Sequence, residues 1–287
     1  MDEFIPVLTR YGQGLVYCLI TFIFILAAKT IADRRTVRFD DDEEIEEKSN
    51  LAVGLRRAGL YLGFAVGLAG AVGGKSLGFV TDILWLLVDG LLIMVCLFLC
   101  RELNDRMMLA GINNDDAAQT GNVAVGLVEC GMYIATGLIL GGAFFGESAD
   151  MATGIISALV FFALGQVVLL ACGRLYEIIL PFDIKAEIGT GNPAAGLALG
   201  GILVALGVIL ASSVTGPALG WRLDLTSFGL SAVYGIIMLL IFKKLTDWFL
   251  LPNADLSEEV ARDRNVAALA LTEGVVIAMA VIISHVV

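Results

Sequence analysis

Eight stretches of this chain are apolar over the length needed to cross a bilayer, and that limits the fold more than any other feature. They are residues 12–32, 51–72, 82–100, 122–145, 151–173, 193–214, 225–245 and 265–286. A hydrocarbon core takes roughly 20 residues of α-helix to cross. A soluble all-helical protein would instead need eight buried helices without polar faces. Composition argues against that: 58% of the residues are hydrophobic, 16% are charged, and the mean hydropathy is +0.89. Soluble domains average about 45–50% apolar and ~25% charged. The chain reads as all-α, a polytopic membrane protein of eight transmembrane helices. The first stretch is no cleavable signal peptide, because most of its positive charge follows it and no small-residue cleavage site comes after.

Lys and Arg, not net charge, decide how such a chain is oriented. Formal charge is −11. The turns and flanks after spans 1, 3, 5 and 7 nevertheless hold all but three of the 18 basic residues, and the other side holds Arg10, Lys75 and Arg222. The odd-to-even loops are therefore expected in the cytoplasm, with both termini outside.

A short frame recurs at the start of each even helix. It is Asn, any residue, Ala, and then Gly nine residues after the Asn: Asn50, Asn122, Asn192 and Asn265, spaced by 72, 70 and 73 residues. A second mark recurs at the end of each odd helix, where Asp33, Asp105, Glu177 and Asp247 stand. Internal periodicity of this kind defines a repeat unit. Here the unit is a helical hairpin: helix, acid, polar loop of about 15 residues, Asn-x-Ala, helix. All four units enter from the same side, so they are like-oriented, and parallel repeats are related by an axis along the membrane normal. This predicts pseudo-twofold symmetry between two four-helix units, 1–146 and 147–287.

Each Asn is placed to cap its helix, its side-chain oxygen accepting from the first free N–H groups. Pro193 directly after Asn192 suits the first helical position, where no N–H is needed. Gly59, Gly63 and Gly67 give helix 2 the small-residue spacing by which bilayer helices approach closely. The interfacial acids face the negative end of their own helix dipole. They call for partners: the N-termini of even helices, nearby Lys and Arg, or water. Asn122 and Asn192 are expected to bind their neighbouring acids, Asp105 and Glu177.

Ionisable residues at depth are rare and usually functional or paired. Here they are Asp89, Glu129, Glu273, Arg56 and Arg57, with Gln166, Thr136 and Thr272 as further polar residues. Arg57 and Glu129 each follow their Asn by seven residues, which suggests a buried Arg57–Glu129 pair. Asp89 and Glu273 have no evident partner, so Asp89, Glu129, Glu273 and Arg57 form the candidate ion or proton site. The run Asp40–Glu47 carries seven acids interrupted by Ile45 and reads as a solvated segment. It lacks the spacing of a calcium loop. The five Cys lie inside spans with no metal-ligand spacing, so no metal is expected. His285 has no acid nearby to complete a triad, no phosphate-binding loop is present, and the loops are too short for an enzyme domain. No catalysis and no cofactor are expected.

One stretch resembles a known family. Pro181-Phe182-Asp183, then Lys185-Ala-Glu187-Ile188, then Gly191-Asn192-x-Ala194-Ala195 resemble the signature of the YjfL-like bacterial inner-membrane proteins, a domain of unknown function numbered 350. Family members commonly have two such hairpins, and this chain resembles two members fused in tandem. Repeat 3 carries the resemblance most fully and repeat 2 follows through Gly121-Asn122-Val-Ala124. Repeat 4 lacks the Gly before Asn265, and repeat 1 replaces the linker by the acid run. The resemblance implies an inner-membrane protein without established chemistry, with a cytosolic membrane-stress protein of the phage-shock type as partner. Besides the bilayer, a second copy of the chain is a candidate partner; nucleic acid is not.

Two functions fit these residues. One is a pore or carrier for a small ion, with Asp89, Glu129 or Glu273 in its path and the interfacial acids attracting cations. The other is a scaffold or stress sensor that recruits a cytosolic partner and transports nothing. The orientation is open to a direct test. In a background without native Cys, a Cys at Ala110 should react with impermeant maleimide only from the cytoplasm, and one at Lys75 only from outside. Reaction of the Lys75 variant from the cytoplasm alone would overturn it.

Overall fold

The computed structural model describes residues 4–36, 38–74, 76–145, 150–250 and 256–286, with side chains from residue 8 onward. It is 85% helical and has no strands among the described residues. Among the described residues, eight helices are long and apolar enough to span a membrane. They are α1 (Phe4–Arg35), α3 (Leu51–Gly73), α4 (Phe79–Leu103), α6 (Val123–Phe145), α7 (Met151–Ile179), α9 (Pro193–Val214), α10 (Trp221–Leu250) and α12 (Val266–Ile283). A π turn, Asn104–Met108, extends α4. Four short helices fill the linkers: α2 (Asp41–Glu46), α5 (Asn114–Gln119), α8 (Ile184–Gly189) and α11 (Leu256–Ala261). Lys75 and the expected boundary between the halves at 146/147 lie outside the described residues.

The odd spans run past their apolar stretches. The reason lies in their last turns, where acids meet basic residues three or four positions earlier: Lys29–Asp33 at 3.0 Å, Arg101–Asp105 at 3.7 Å, Arg174–Glu177 at 2.5 Å and Lys244–Asp247 at 3.1 Å. Pairs at this spacing share a helix face and support helix where hydropathy has ended. At the other end of the chain, α12 stops at Ile283, short of residue 286.

The linkers also depart from the expected polar loops. Asp40 accepts from the N–H groups of Asp42 and Glu43, Asn113 from Asp116, and Asp183 from Ala186. Each of these side chains caps a six-residue helix. The acid run is thus α2, with Asp41 and Glu44 buried instead of solvated.

The even spans make the core. α3 packs on α6, α6 on α9 and α9 on α12, while α1, α4, α7 and α10 lie against this row. α6 and α9 are buried over most of their length, and α1 hardly at all. Glycines set the spacing within the row. A methyl group added to Gly63 would overlap the carbonyl of Tyr133, and one on Gly137 the carbonyl of Gly63. Gly131 and Gly196 press in the same way on the backbones of Gly200 and Ala124, so α6 and α9 are in backbone contact across the two halves. Lipid tails are as apolar as Leu, so helices gain association through such close packing and not through the hydrophobic effect.

This gives a clean contrast. Gly137→Ala should lower stability by about 1–3 kcal/mol through overpacking. Gly229→Ala, at an exposed site with nothing within 4 Å, should be neutral or slightly stabilising, since Gly in a helix is ~1 kcal/mol less favourable than Ala. Thermal unfolding in detergent reads both, and equal midpoints would remove the close approach as a determinant of the fold.

Candidate functional site

Apart from Asp89, the buried charges among the described residues fall into two groups at the linker end of the bundle. In the first half Arg56 is the hub. Its Nε donates to Glu129 Oε2 at 2.5 Å, its Nη2 to Glu129 Oε1 at 3.1 Å and to the Asn114 carbonyl at 2.8 Å, and its Nη1 to Asp115 at 2.8 Å. Arg101 also donates to Asp115. Burial pushes the Asp115 carboxyl up, but Arg101 and Arg56 pull it further down, so it ends below the ordinary carboxylate range. Asn104, at the start of the π turn, is buried beside Arg101, Glu129 and Tyr133.

The expected Arg57–Glu129 pair is therefore replaced. Glu129 takes Arg56, and Arg57 turns to Asp33 and Asp41 and to the Lys29 carbonyl at 3.4 Å. Equal depth fixed neither partner, because adjacent residues of a helix point about 100° apart. Glu273 is corrected likewise: in the second half Lys243 donates to it from within the bundle. The Lys243 ammonium also sits 4.6 Å from the centre of the Tyr176 ring. Breaking a buried pair by removing one partner typically costs about 3–5 kcal/mol, so Glu129, Glu273 and Arg57 have structural duties.

All four interfacial acids join bases, and none caps the N-terminus of an even helix among the described residues. Asp33 pairs with Lys29 and Arg57, Asp105 with Arg101, Glu177 with Arg174 and with Lys185 at 3.2 Å, and Asp247 with Lys244. Asp105 also accepts from Asn114, and Asp247 from the Leu256 N–H at 3.3 Å.

Asp89 differs from these. It lies on the buried face of α4, 6% exposed, with no hydrogen bond or ion pair among the described residues. It stands on the wall of a cavity of about 240 Å³ that Tyr17, Ser76, Asp82, Trp85 and Phe144 also line. The cavity reaches the α3–α4 turn at Gly74 and Leu77, the end of the bundle opposite the linkers. Asp89 is ten residues into α4, about 15 Å along its axis. Asp82 is two turns nearer the mouth, where it accepts from the Leu77 N–H at 2.8 Å and from Ser76. Two carboxylates on one stripe, with no Lys or Arg among the described lining residues, make a field that draws cations inward. An isolated carboxylate in such surroundings is costly unless a proton or a cation joins it.

The four Asn side chains do two things. The oxygens of Asn50, Asn192 and Asn265 each accept two N–H groups of their own helix, and that of Asn122 accepts the Val125 N–H at 3.1 Å. Their amides reach outward. Asn50 donates to the carbonyl of Ala118, Asn122 to that of Ile188 and Asn192 to that of Val260, each in the linker helix of the following repeat. The acids they bind are Glu44, Glu187 and Glu259, inside their own linkers. The expected Asn122–Asp105 and Asn192–Glu177 bonds are not made, because those acids are taken by Asn114, Arg101, Arg174 and Lys185. Both the linker acids and the bases one turn before the interfacial acids had a signal in the sequence. Each is an acid five or six residues before an Asn, or a Lys or Arg three or four before an acid.

A family model described as Domain of Unknown Function (DUF350) matches residues 6–144 and again 150–287. The chain belongs to this family. It is an integral membrane protein carrying two copies of the domain in tandem, which accounts for its internal repetition. It is also similar to a UPF0719 transmembrane protein of Aquifex aeolicus (strain VF5), 24% identical over 88% of this chain and 93% of the relative. No solved structure matches it.

The Asn192 geometry separates capping from acid binding. Asn192→Ala should lose roughly 0.5–2 kcal/mol, the usual worth of a cap. Asn192→Asp keeps the acceptor toward Ala194 and Ala195 but loses both donated bonds and sets a carboxylate against Glu187, so it should melt lower still. Adding Glu187→Gln should restore part of the loss, whereas Glu177→Gln should not. An Asp variant as stable as the parent would refute this arrangement.

Proposed function

We propose that this protein is a carrier for a small cation or a proton, with Asp89 as its binding group. The observation that carries this reading is the unpaired, buried Asp89 carboxyl on a cavity wall, with Asp82 above it. Below Asp89, Ile93, Leu97 and Phe64 are fully buried, so the cavity is a dead end in this conformation. That supports a carrier, in which packing must change for release, over an open pore. The excess of Lys and Arg at the linker end supports a cytoplasmic position for that end and an outward-facing cavity mouth. The four hairpins then share one orientation in the inner membrane.

A second reading has one observation in its favour. Glu129 and Glu273 are both buried and ion-paired, which suits a scaffold recruiting a cytosolic partner at the linker end. Flux separates the two. Proteoliposomes of the parent should take up at least one of Na⁺, K⁺ or H⁺ above empty vesicles, and Asp89→Asn should reduce that uptake at least tenfold without lowering the unfolding temperature. No uptake of any of the three by the folded parent would reject the carrier and leave the scaffold.

A further inference from the structure

We propose that the row of even helices continues between molecules, with α12 of one copy packing on α3 of the next, head to tail. Within the chain the row is built from three contacts of one kind that share three components, except that Leu269 stands in α12 where α6 and α9 carry the second glycine, Gly126 and Gly196. At both ends of the row those components are present and unused.

The first component is the pair of glycines that bring two helices together. Nine residues after their Asn, Gly59, Gly131 and Gly201 press on the next even helix, at Cys130, Gly200 and Glu273. The fourth member of the set, Gly274, has nothing within 4 Å. In the opposite direction, Gly126 and Gly196, four residues after their Asn, press on Ala52 and Ala124 of the preceding even helix. Their counterpart Gly54 also has nothing within 4 Å. Among the described residues α12 therefore lacks a following even helix and α3 a preceding one, at matching depths. Gly is disfavoured against Ala inside a helix, and neither Gly54 nor Gly274 meets a neighbour among the described residues.

The second component is the linker helix. α5 packs on α3, α8 on α6 and α11 on α9, each against the even helix of the preceding repeat. That packing buries Ala118 and Ile188 to 0% and Val260 to 3% exposure. The corresponding residue of α2, Ile45, is 37% exposed, and no even helix of a preceding repeat covers it among the described residues. The third component is the asparagine amide. Asn50, Asn122 and Asn192 each donate to the carbonyl of that linker residue in the next repeat, whereas Asn265 donates to its own Glu259 and to no following linker.

These three observations name the occupant. The surface that completes Gly274 and Asn265 is a first repeat, and the surface that completes Gly54 and Ile45 is a fourth. Lipid fills neither role, since it offers no backbone for close approach and no carbonyl at the right place. Because the two faces differ, the contact is heterologous. It makes a ring if the rotation per copy closes and an open string if it does not.

Cross-linking tests the register. Ala58 on α3 is exposed and corresponds to Cys130 and Gly200 in the internal contacts. Exposed Cys18 is first replaced by Ser. Two differently tagged copies, one Ala58→Cys and one Gly274→Cys, are then co-expressed and oxidised in the membrane. The expected product is a mixed dimer, and a chain carrying both substitutions should give a ladder of higher species. Dimers of Ala58→Cys alone, a cross-link confined within one chain, or no cross-link with folded protein would each overturn the proposal. If the cysteine variants fail to fold, native mass spectrometry of the parent in nanodiscs decides. An oligomer that Ala58→Trp turns into a monomer with unchanged unfolding temperature supports the contact, and a monomeric parent rejects it.

Discussion

Backbone-to-backbone contact along the row of even helices is the constraint on which the rest depends. In lipid, apolar surface gains nothing by leaving one hydrocarbon for another, so association rests on van der Waals fit and on polar groups that must be satisfied. Gly63 against Tyr133 and Gly131 against Gly200 supply the fit. Once α3, α6 and α9 are that close, little room remains for long side chains between them. Between these helices charged groups are paired across the seam, as Arg56 is with Glu129. The odd helices then have no central place. They lie against the row, and much of α1 and α10 faces lipid.

What the sequence revealed and what it hid follow the same physics. The spans, the caps and the glycine stripe are local or periodic, and a single chain displays them directly. Partner choice is different, because it depends on azimuth as well as depth. Arg56 and Arg57 are neighbours in sequence at nearly the same height, yet one faces Glu129 and the other Asp33 and Asp41. No periodicity argument separates them without the neighbouring helix in place. The linker helices were hidden for another reason. A run such as Asp40–Glu47 has the composition of a solvated tail, and its helix forms because Asp40 caps it and Arg57 and Asn50 each claim one of its acids.

Comparison of the two halves shows where the duplicated architecture was kept and where it diverged. Asp82 and Asp224 stand 142 positions apart in matching segments, Leu77-Gly78-Phe79 and Leu219-Gly220-Trp221. In both, the carboxylate accepts from the N–H of the Leu, at 2.8 and 3.1 Å. In both, the Gly before the helix has a positive φ, 113° and 109°, a conformation that favours a residue without Cβ. The second half also has a cavity near this end, about 420 Å³ and lined by Ser212, Ser213, Thr215 and Asp224. The mouth of each half is thus built alike.

Seven residues deeper the halves part. The counterpart of Asp89 is Ser231, also buried. A serine in a bilayer can satisfy itself by bonding back to its own helix, as Thr226 does to the Arg222 carbonyl at 2.7 Å. A carboxylate has no such local solution, since ionised it only accepts, and its helix offers no free donor in mid-span. Folding alone gives no reason to prefer Asp at that depth, because the same architecture in the second half is completed by a hydroxyl. The other intramembrane acids are bound to the fold by Arg56 and Lys243. Among the described residues Asp89 is therefore the intramembrane acid that the packing leaves unpaired, and the proposed binding role rests on the half that carries it.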